Sequence, residues 1–524
     1  MAEPYYITTA IAYPNGRPHI GHAYEAVAAD VIARFRRMQG RDVRFVTGTD
    51  EHGLKMDKTA REQGVGVQAL CDEMSSYFTD MCDKLNISYD RFIRTTEPAH
   101  HAASVAIWEA MKANGDLYLD RYEGWYSVRD EAFYEEKELL TGEGGTRLSP
   151  QGTPVEWTAE ESWFFKLSNY AQPLLDHYTT NPDFIRPESR RNEVVKFVEG
   201  GLRDLSVSRT SFDWGVKVPG SPDHVMYVWV DALTAYMSAL GYPDQCGDWA
   251  KYWPADLHLI GKDIVRFHTV YWPAFLMSAK LPLPKQVFGH GFVLARDGSK
   301  MGKSAGNTAD PLELAERYGV DALRYFFMRE VSFGQDGTWS EEAIVTRCNA
   351  ELANSFGNLV QRVFSFISKN LDGLLPAIDV SQVKQDPDSE FLGAVGLALG
   401  QAVIEYDLCW LDSALKEWIS AVHAANAYVD SQAPWSLRKT DPDRMNTVLA
   451  VLVVAIKNLA VAIQPVTPTA AKAVLDLLEI PDAERKFGDW MNASWYSDLT
   501  DIGFRLAPPT PIFPRLELSA EVAA

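Results

Sequence analysis

The chain is expected to fold as an α/β protein: a parallel sheet with flanking helices, interrupted by an insertion and followed by a separate α-helical bundle. Three observations predict this. β-rich runs alternate with helix-period runs at the start of the chain, this texture stops near residue 118 and returns near Met226, and beyond about Asn349 the apolar spacing is helical throughout. A length of 524 residues also exceeds what one hydrophobic core supports, so several domains are required.

The first run, Tyr5 to Ile11, reads as a buried strand that passes through a Pro14-Asn15-Gly16 turn into a helix opening at His19-Ile20-Gly21-His22. Val27, Val31 and Phe35 with Ala28, Ile32 and Met38 form its 3.6-period apolar stripe, and Gly40 closes it. A helix start presents unpaired N–H groups and the positive end of the dipole, and histidines three residues apart share its first turn. Such a start either meets a nucleotide's phosphates, with His19 and His22 stabilising charge that develops there, or carries two capping histidines. Asp42 to Thr49 is the second strand and ends on Asp50-Glu51-His52-Gly53. Ligands of parallel sheets lie beyond the carboxyl ends of the strands, so Asp50 falls beside the histidine turn. There it holds an ammonium group or a metal, or caps the next helix. Helical patterns follow over about 60–86 and 100–114.

From about Tyr118 to Pro219 the chain is rich in Gly, Trp, Tyr and Glu, with short strand-like runs and turn clusters such as Gly142 to Gly145, which reads as the insertion. The α/β texture resumes with MYVWVDALTAYM, a strand at Leu257 to Gly261, and KDIVRFH. Trp229, Ala232, Tyr236, Ile264 and His268 fall at helix-type offsets, which suits core packing or the wall of a pocket at the sheet's mouth. Val293 to Asn307 runs from a strand through an Asp297-Gly298 turn to Lys300 and Lys303, set among Ser299, Gly302, Ser304 and Gly306. This is either a mobile loop whose ammonium groups follow a polyphosphate or a solvated surface loop. Past Asn349, Leu359, Val363 and Phe364 and the Val448 to Ile463 segment predict a helical bundle. The most hydrophobic run, Val448 to Pro465, is broken by Lys457 and Asn458, which fits a buried bundle helix rather than a membrane span. The proline-rich tail from Ala507 is expected to pack back in extended form.

At 46% hydrophobic and 23% charged residues the composition is globular and excludes disordered and fibrous classes. A formal net charge of −21 argues against a broad basic footprint for nucleic acid but leaves room for a local basic track. Cys71, Cys82, Cys246, Cys348 and Cys409 are scattered without a C-x-x-C pair, so neither a disulfide framework nor a cysteine zinc site is readable. The amino terminus enters a strand at once with no signal-peptide pattern, and the expected setting is cytoplasmic.

His19-Ile20-Gly21-His22 and Lys300-Met301-Gly302-Lys303-Ser304 together resemble the two hallmark motifs of class I aminoacyl-tRNA synthetases. TTAIAYPNG, TGTDEHG, YVWVDALTAYM, IGKDIVRFH and SFGQDGTWS are similar in type and order to the methionyl-tRNA synthetase family, across essentially the whole chain. The resemblance implies a Rossmann-type catalytic domain in two halves, 1–117 and 223–280, around a connective insertion at 118–222. It further implies a linking domain carrying the lysine loop at 281–348 and an α-helical anticodon-binding domain at 349–524.

It also implies that methionine and ATP give methionyl-adenylate and pyrophosphate, and that methionyl then passes to the terminal ribose of tRNA(Met), initiator included, by way of the 2′-OH. His19, His22, Lys300 and Lys303 would be catalytic. Pro14, Asn15, Gly16, Gly21, Met301 and Ser304 would join them around ATP and its Mg²⁺. Methionine would lie with its ammonium on Asp50 and its backbone near Ala10 and Ile11, the side chain among Tyr13, Trp229, Ala232, Leu233, Tyr236, Ile264 and His268. Asn358, Arg362 and Trp435 match the positions that read a CAU anticodon, where stacking and edge hydrogen bonds do the recognition. A monomer is expected.

Two departures from the family pattern stand out. Gly302 replaces the middle serine of the lysine loop, with both lysines and Ser304 kept. Where many relatives bind zinc through cysteine pairs, this chain has Ser127, Asp130, Ser149 and Gln151, so no zinc is expected. Other readings are a sister synthetase for leucine, isoleucine, valine or cysteine, an RNA-binding relative without catalysis, and a nucleotidylyltransferase for a small molecule. The short insertion and the absence of zinc-binding thiols weigh against the sisters, the intact histidines and lysines against the second, and the helical bundle against the third.

Overall fold

The computed structural model describes residues 2–127, 132–296, 298–299, 309–374, 383, 386–487 and 506–518. β1 (Pro4–Thr9) lies at the centre of a six-stranded sheet. α1 (Ile20–Met38) returns the chain to β2 (Asp42–Thr49), and α2 (Leu54–Gln63) and α3 (Val67–Lys84) lead to β3 (Arg91–Arg94). The strand order is β3, β2, β1, Leu257–Gly261, Val287–His290 and Ile185–Arg186, with every pair parallel. The chain leaves β1 toward one edge and later builds the other edge, so the order reverses between β1 and Leu257–Gly261. Doubly wound sheets open a crevice at that place.

The strand expected over Tyr5 to Ile11 ends at Thr9. Ala10 N still bonds Leu259 O at 3.1 Å, and pairing with β2 resumes in an isolated parallel bridge at Ala12, whose N–H meets Gly48 O at 2.8 Å. The helical pattern over 60–86 divides because Gly64 takes a left-handed φ of 68° and closes α2.

The span read as the insertion contains a four-stranded antiparallel sheet built on β4 (Leu117–Ser127) and β5 (Ala132–Tyr134), with Glu156–Phe165 and Leu205–Ser206. It also holds the helices α5 (Ala171–Thr180) and α6 (Glu188–Glu199), and it sends Ile185–Arg186 back to the edge of the main sheet. Aromatic, Gly-rich texture hid those helices.

Beyond residue 341 the described chain is helical through Leu477, and the long helix Pro442–Ile463 is its buried core element. That helix is apolar and long enough to cross a membrane, yet 89% of its apolar window is covered by protein. The bundle is tied to the sheet by Arg324, which is wholly buried and bonds Asp30 of α1 at 2.6 Å, Leu85 O at 3.0 Å, and Pro465 O and Val466 O at 2.9 Å each. The tail packs back through Ile512, Phe513 and Leu516, with Asn349 bonding both the N–H and the carbonyl of Leu516.

Candidate active site

A cavity of about 510 Å³ opens where the strand order reverses, beyond the carboxyl ends of β1, Leu257–Gly261 and Val287–His290. One end of it is the start of α1. His19 is the N-cap, and its Nδ1 accepts from Gly21 N at 3.0 Å, while His22 Nδ1 accepts from His19 N at 3.1 Å. Both rings line the cavity with centroids 3.9 Å apart.

The two readings of these histidines therefore coincide in one geometry. A ring nitrogen that accepts from a backbone N–H carries no proton, so the capping bonds place each neutral imidazole's proton on Nε2. Capping thus makes each ring a hydrogen-bond donor of fixed tautomer at a helix N-terminus, where anions are favoured. Gly21 is required there: a Cβ would lie 2.9 Å from His19 Cε1.

Asp50 is nearly buried at the end of β2, and its N–H is held by Ala12 O at 2.8 Å. α7 (Val228–Ser238) forms the facing wall with Trp229, Ala232, Leu233 and Tyr236. The Trp229 ring stacks on Phe267 at 3.8 Å and 4°, which holds it flat. His268 Nδ1 lies 3.0 Å from Ile264 O and its Nε2 lies 2.7 Å from Tyr236 Oη. A carbonyl only accepts, so Nδ1 carries the proton and Nε2 accepts from the tyrosine hydroxyl. Burial lowers His268 to about 4, which keeps the ring neutral. Ala10, Ile11, Tyr13 and Ile264 also line it, so every residue named for the amino-acid end borders this one cavity.

The residues named for the nucleotide divide. His19, Gly21 and His22 line the cavity, whereas Pro14, Asn15 and Gly16 form the turn before α1 and lie outside its lining. Lys300, Met301, Gly302, Lys303 and Ser304 fall outside the described residues.

Sequence reasoning missed Glu25 and His290. Glu25 Oε1 accepts from Ala10 N at 3.0 Å, and Oε2 takes His290 Nε2 at 2.8 Å, while His290 Nδ1 bonds Gly291 O at 2.8 Å. Burial alone would lower His290, but the Glu25 carboxylate outweighs it and holds the imidazolium above its ordinary range. The available signals were Glu25 at i+3 from His22 on the same helix face and His290 at the end of a β-rich run.

In the bundle, the Arg362 guanidinium covers the Trp435 ring at 4.9 Å and pairs with Asp430 at 2.7 Å, with Asn358 exposed one turn earlier on the same helix. In the insertion, Ser127, Ser149 and Thr153 are buried and share hydroxyl bonds of 2.6 and 2.8 Å. Neutral hydroxyls bonded to one another do not fit a soft tetrahedral zinc site. Asp130 lies outside the described residues.

Residues 5–364 match the family model described as tRNA synthetases class I (M), and residues 413–519 match the anticodon binding domain of methionyl tRNA ligase. The chain is 55% identical to the methionine–tRNA ligase of Brucella suis, over 98% of both chains, and 53% identical to that of Mycobacterium tuberculosis, again over 98% of both. A crystal structure of Mycobacterium tuberculosis methionyl-tRNA synthetase bound by methionyl-adenylate is similar at a TM-score of 0.93 and 52% identity, covering 98% of this chain and 100% of that one. The apo form of that enzyme gives a TM-score of 0.88 at 49% identity, covering 99% of each chain.

Proposed function

This chain belongs to the methionyl-tRNA synthetase family of class I aminoacyl-tRNA synthetases, and we propose that the cavity at the mouth of its sheet is where methionine is activated. Its activity is methionine–tRNA ligation: methionine and ATP give methionyl-adenylate and pyrophosphate, and the methionyl group passes to tRNA. One observation carries the assignment of the site. A carboxylate, an aromatic wall and two imidazole donors at a helix N-terminus border one cavity of about 510 Å³.

In the proposed mode the methionine ammonium sits on Asp50 and the backbone near Ala10 and Ile11. The thioether lies among Tyr13, Trp229, Ala232, Leu233, Tyr236, Ile264 and His268, where aromatic faces suit polarizable sulfur. One methylene discriminates by only about 1–3 kcal/mol in such a pocket, so contacts to sulfur share in selecting methionine.

ATP enters as its Mg²⁺ complex. The methionine carboxylate needs no base; its oxygen attacks the α-phosphorus in line as the bond from phosphorus to the departing pyrophosphate oxygen breaks. Charge grows on the phosphoryl oxygens, facing the His19 and His22 Nε2–H groups, while Lys300 and Lys303 take the outer phosphates. Next, the 2′-OH of the terminal ribose attacks the adenylate carbonyl and AMP leaves.

Asn358, Arg362 and Trp435 read the CAU anticodon, and because initiator tRNA carries that anticodon it is a substrate too. The insertion is zinc-free, a reading supported by the Ser127–Thr153–Ser149 hydroxyl cluster; stoichiometric tightly bound zinc in purified protein would contradict it. The enzyme works as a monomer in the cytoplasm, which light scattering and cell fractionation test. Exchange of labelled pyrophosphate into ATP, driven by methionine but not by leucine, isoleucine, valine or cysteine, tests the whole assignment. Exchange driven by another amino acid would discard the pocket assignment, and no exchange from folded protein would discard the catalytic one.

A further inference from the structure

Behind the cavity lies a buried cluster that the mechanism does not use. Asp231 stands in the first turn of α7, 1% exposed, and is absent from the cavity lining. Its Oδ2 lies 2.6 Å from His52 Nδ1 and its Oδ1 lies 2.5 Å from His100 Nε2 on α4 (Pro98–Ala113). His100 Nδ1 reaches Ser238 Oγ at 2.9 Å. Residues 231 and 238 are two turns apart on one face of α7, so His100 grips that helix at both ends.

The other histidine belongs to a rigid turn. Glu51 O accepts from Trp214 Nε1 at 2.7 Å, Gly53 N bonds Trp214 O at 3.2 Å, and the Glu51 carboxylate takes Arg94 Nε at 2.7 Å, Arg94 Nη2 at 3.0 Å and Thr49 Oγ1 at 2.7 Å. Asp50 precedes this turn directly. Burial opposes the ionised form of Asp231, and the two histidines outweigh it, holding the carboxyl below its ordinary range. An apolar side chain would pack the same place without a charge to desolvate, so what the carboxylate adds is the pair of groups it joins.

We propose that Asp231 is a positioning residue for methionine: through His52 it locks the helix bearing the side-chain wall to the turn bearing Asp50, while His100 pins that helix to α4, and so it sets the spacing between the two ends of the amino-acid subsite. The inference rests on the assignment of that subsite to methionine. It concerns geometry at the amino-acid end and leaves the nucleotide end untouched.

The test is pyrophosphate exchange with the full chain, varying methionine at saturating ATP and ATP at saturating methionine. Asp231→Leu and His52→Leu are expected to raise the methionine KM about tenfold or more while the ATP KM stays within about twofold. His52→Asn keeps an N–H at the Nδ1 position and is expected to stay within about threefold of the native enzyme. Methionine and ATP KM rising together, a loss of kcat with both KM values unchanged, or native kinetics in Asp231→Leu would each overturn the proposal. If the leucine variants fail to fold, Asp231→Asn serves instead: it removes one of the two acceptor oxygens, an unchanged methionine KM refutes the bridge, and a severalfold rise with the ATP KM unmoved supports it. Asp50→Asn separates the two levels, because a methionine KM unaffected by that change would sink the subsite assignment itself, whatever the bridge variants do.

Discussion

His22→Asn and His22→Gln separate the two jobs of one imidazole. The native ring accepts from His19 N through Nδ1, which leaves the ring proton on Nε2, and the ring lines the cavity. An asparagine Oδ1 falls near the Nδ1 position and keeps the capping acceptor, but nothing in it reaches the Nε2 position. A glutamine amide does the reverse. Removing one donor from charge that develops in the transition state costs about 10²–10³ in kcat, or about 2.7–4 kcal/mol, whereas losing a helix cap costs about 0.5–2 kcal/mol of stability. His22→Asn is therefore expected to lose about 10²–10³ in exchange kcat, with methionine KM within about twofold and an unchanged melting temperature. His22→Gln is expected to keep more activity and to melt earlier. The rings of His19 and His22 are 3.9 Å apart, so the double variant will fall short of the product of the single losses. Exchange kinetics and thermal melts on the same preparations decide it. Near-native exchange in the asparagine variant, or equal losses in kcat and methionine affinity, would refute the donor role.

Trp435→Ala is expected to impair tRNA charging and spare pyrophosphate exchange; equal loss of both steps would remove Trp435 from anticodon reading. Arg324→Leu leaves Asp30 with Arg34 and Ser88 but removes the guanidinium from the buried carbonyls of Leu85, Pro465 and Val466, so unfolding by urea should show a loss of about 3 kcal/mol, and a loss under about 1 kcal/mol would contradict the clamp. Folding moves His268 from 6.5 down to about 4, so the unfolded chain binds the proton first as pH falls. This residue therefore subtracts stability progressively below pH 6.5 until about pH 4, on the order of 3 kcal/mol in all. The stability difference between native enzyme and His268→Gln should accordingly shrink by about 2 kcal/mol between pH 7.5 and 5, and a constant difference would refute the buried neutral ring. His290 acts oppositely, because its raised value adds stability that is lost as pH climbs through it, but it is common to both proteins and cancels.

What the sequence determined by itself were features written in local order. The 3.6-period stripe of α1, the β-rich run Asp42–Thr49 and the strand Leu257–Gly261 depend on neighbours a few residues away, and all three stand at the places their patterns indicate. The histidine turn and the aromatic offsets of α7 were legible for the same reason, and the cavity gathers His19, His22, Trp229, Ala232 and Tyr236. Tertiary structure alone decided the rest. Helices α5 and α6 and the strand between them lie in a segment whose aromatic and glycine content masks its period. Glu25 and His290 are 265 residues apart, and His52 and Asp231 are 179 apart, so no window of sequence contains either pair. The tautomers of His19, His22 and His268 are likewise set by which partner each ring meets. A buried charge takes its state and its use from what folding places around it, and that information is absent from the local chain.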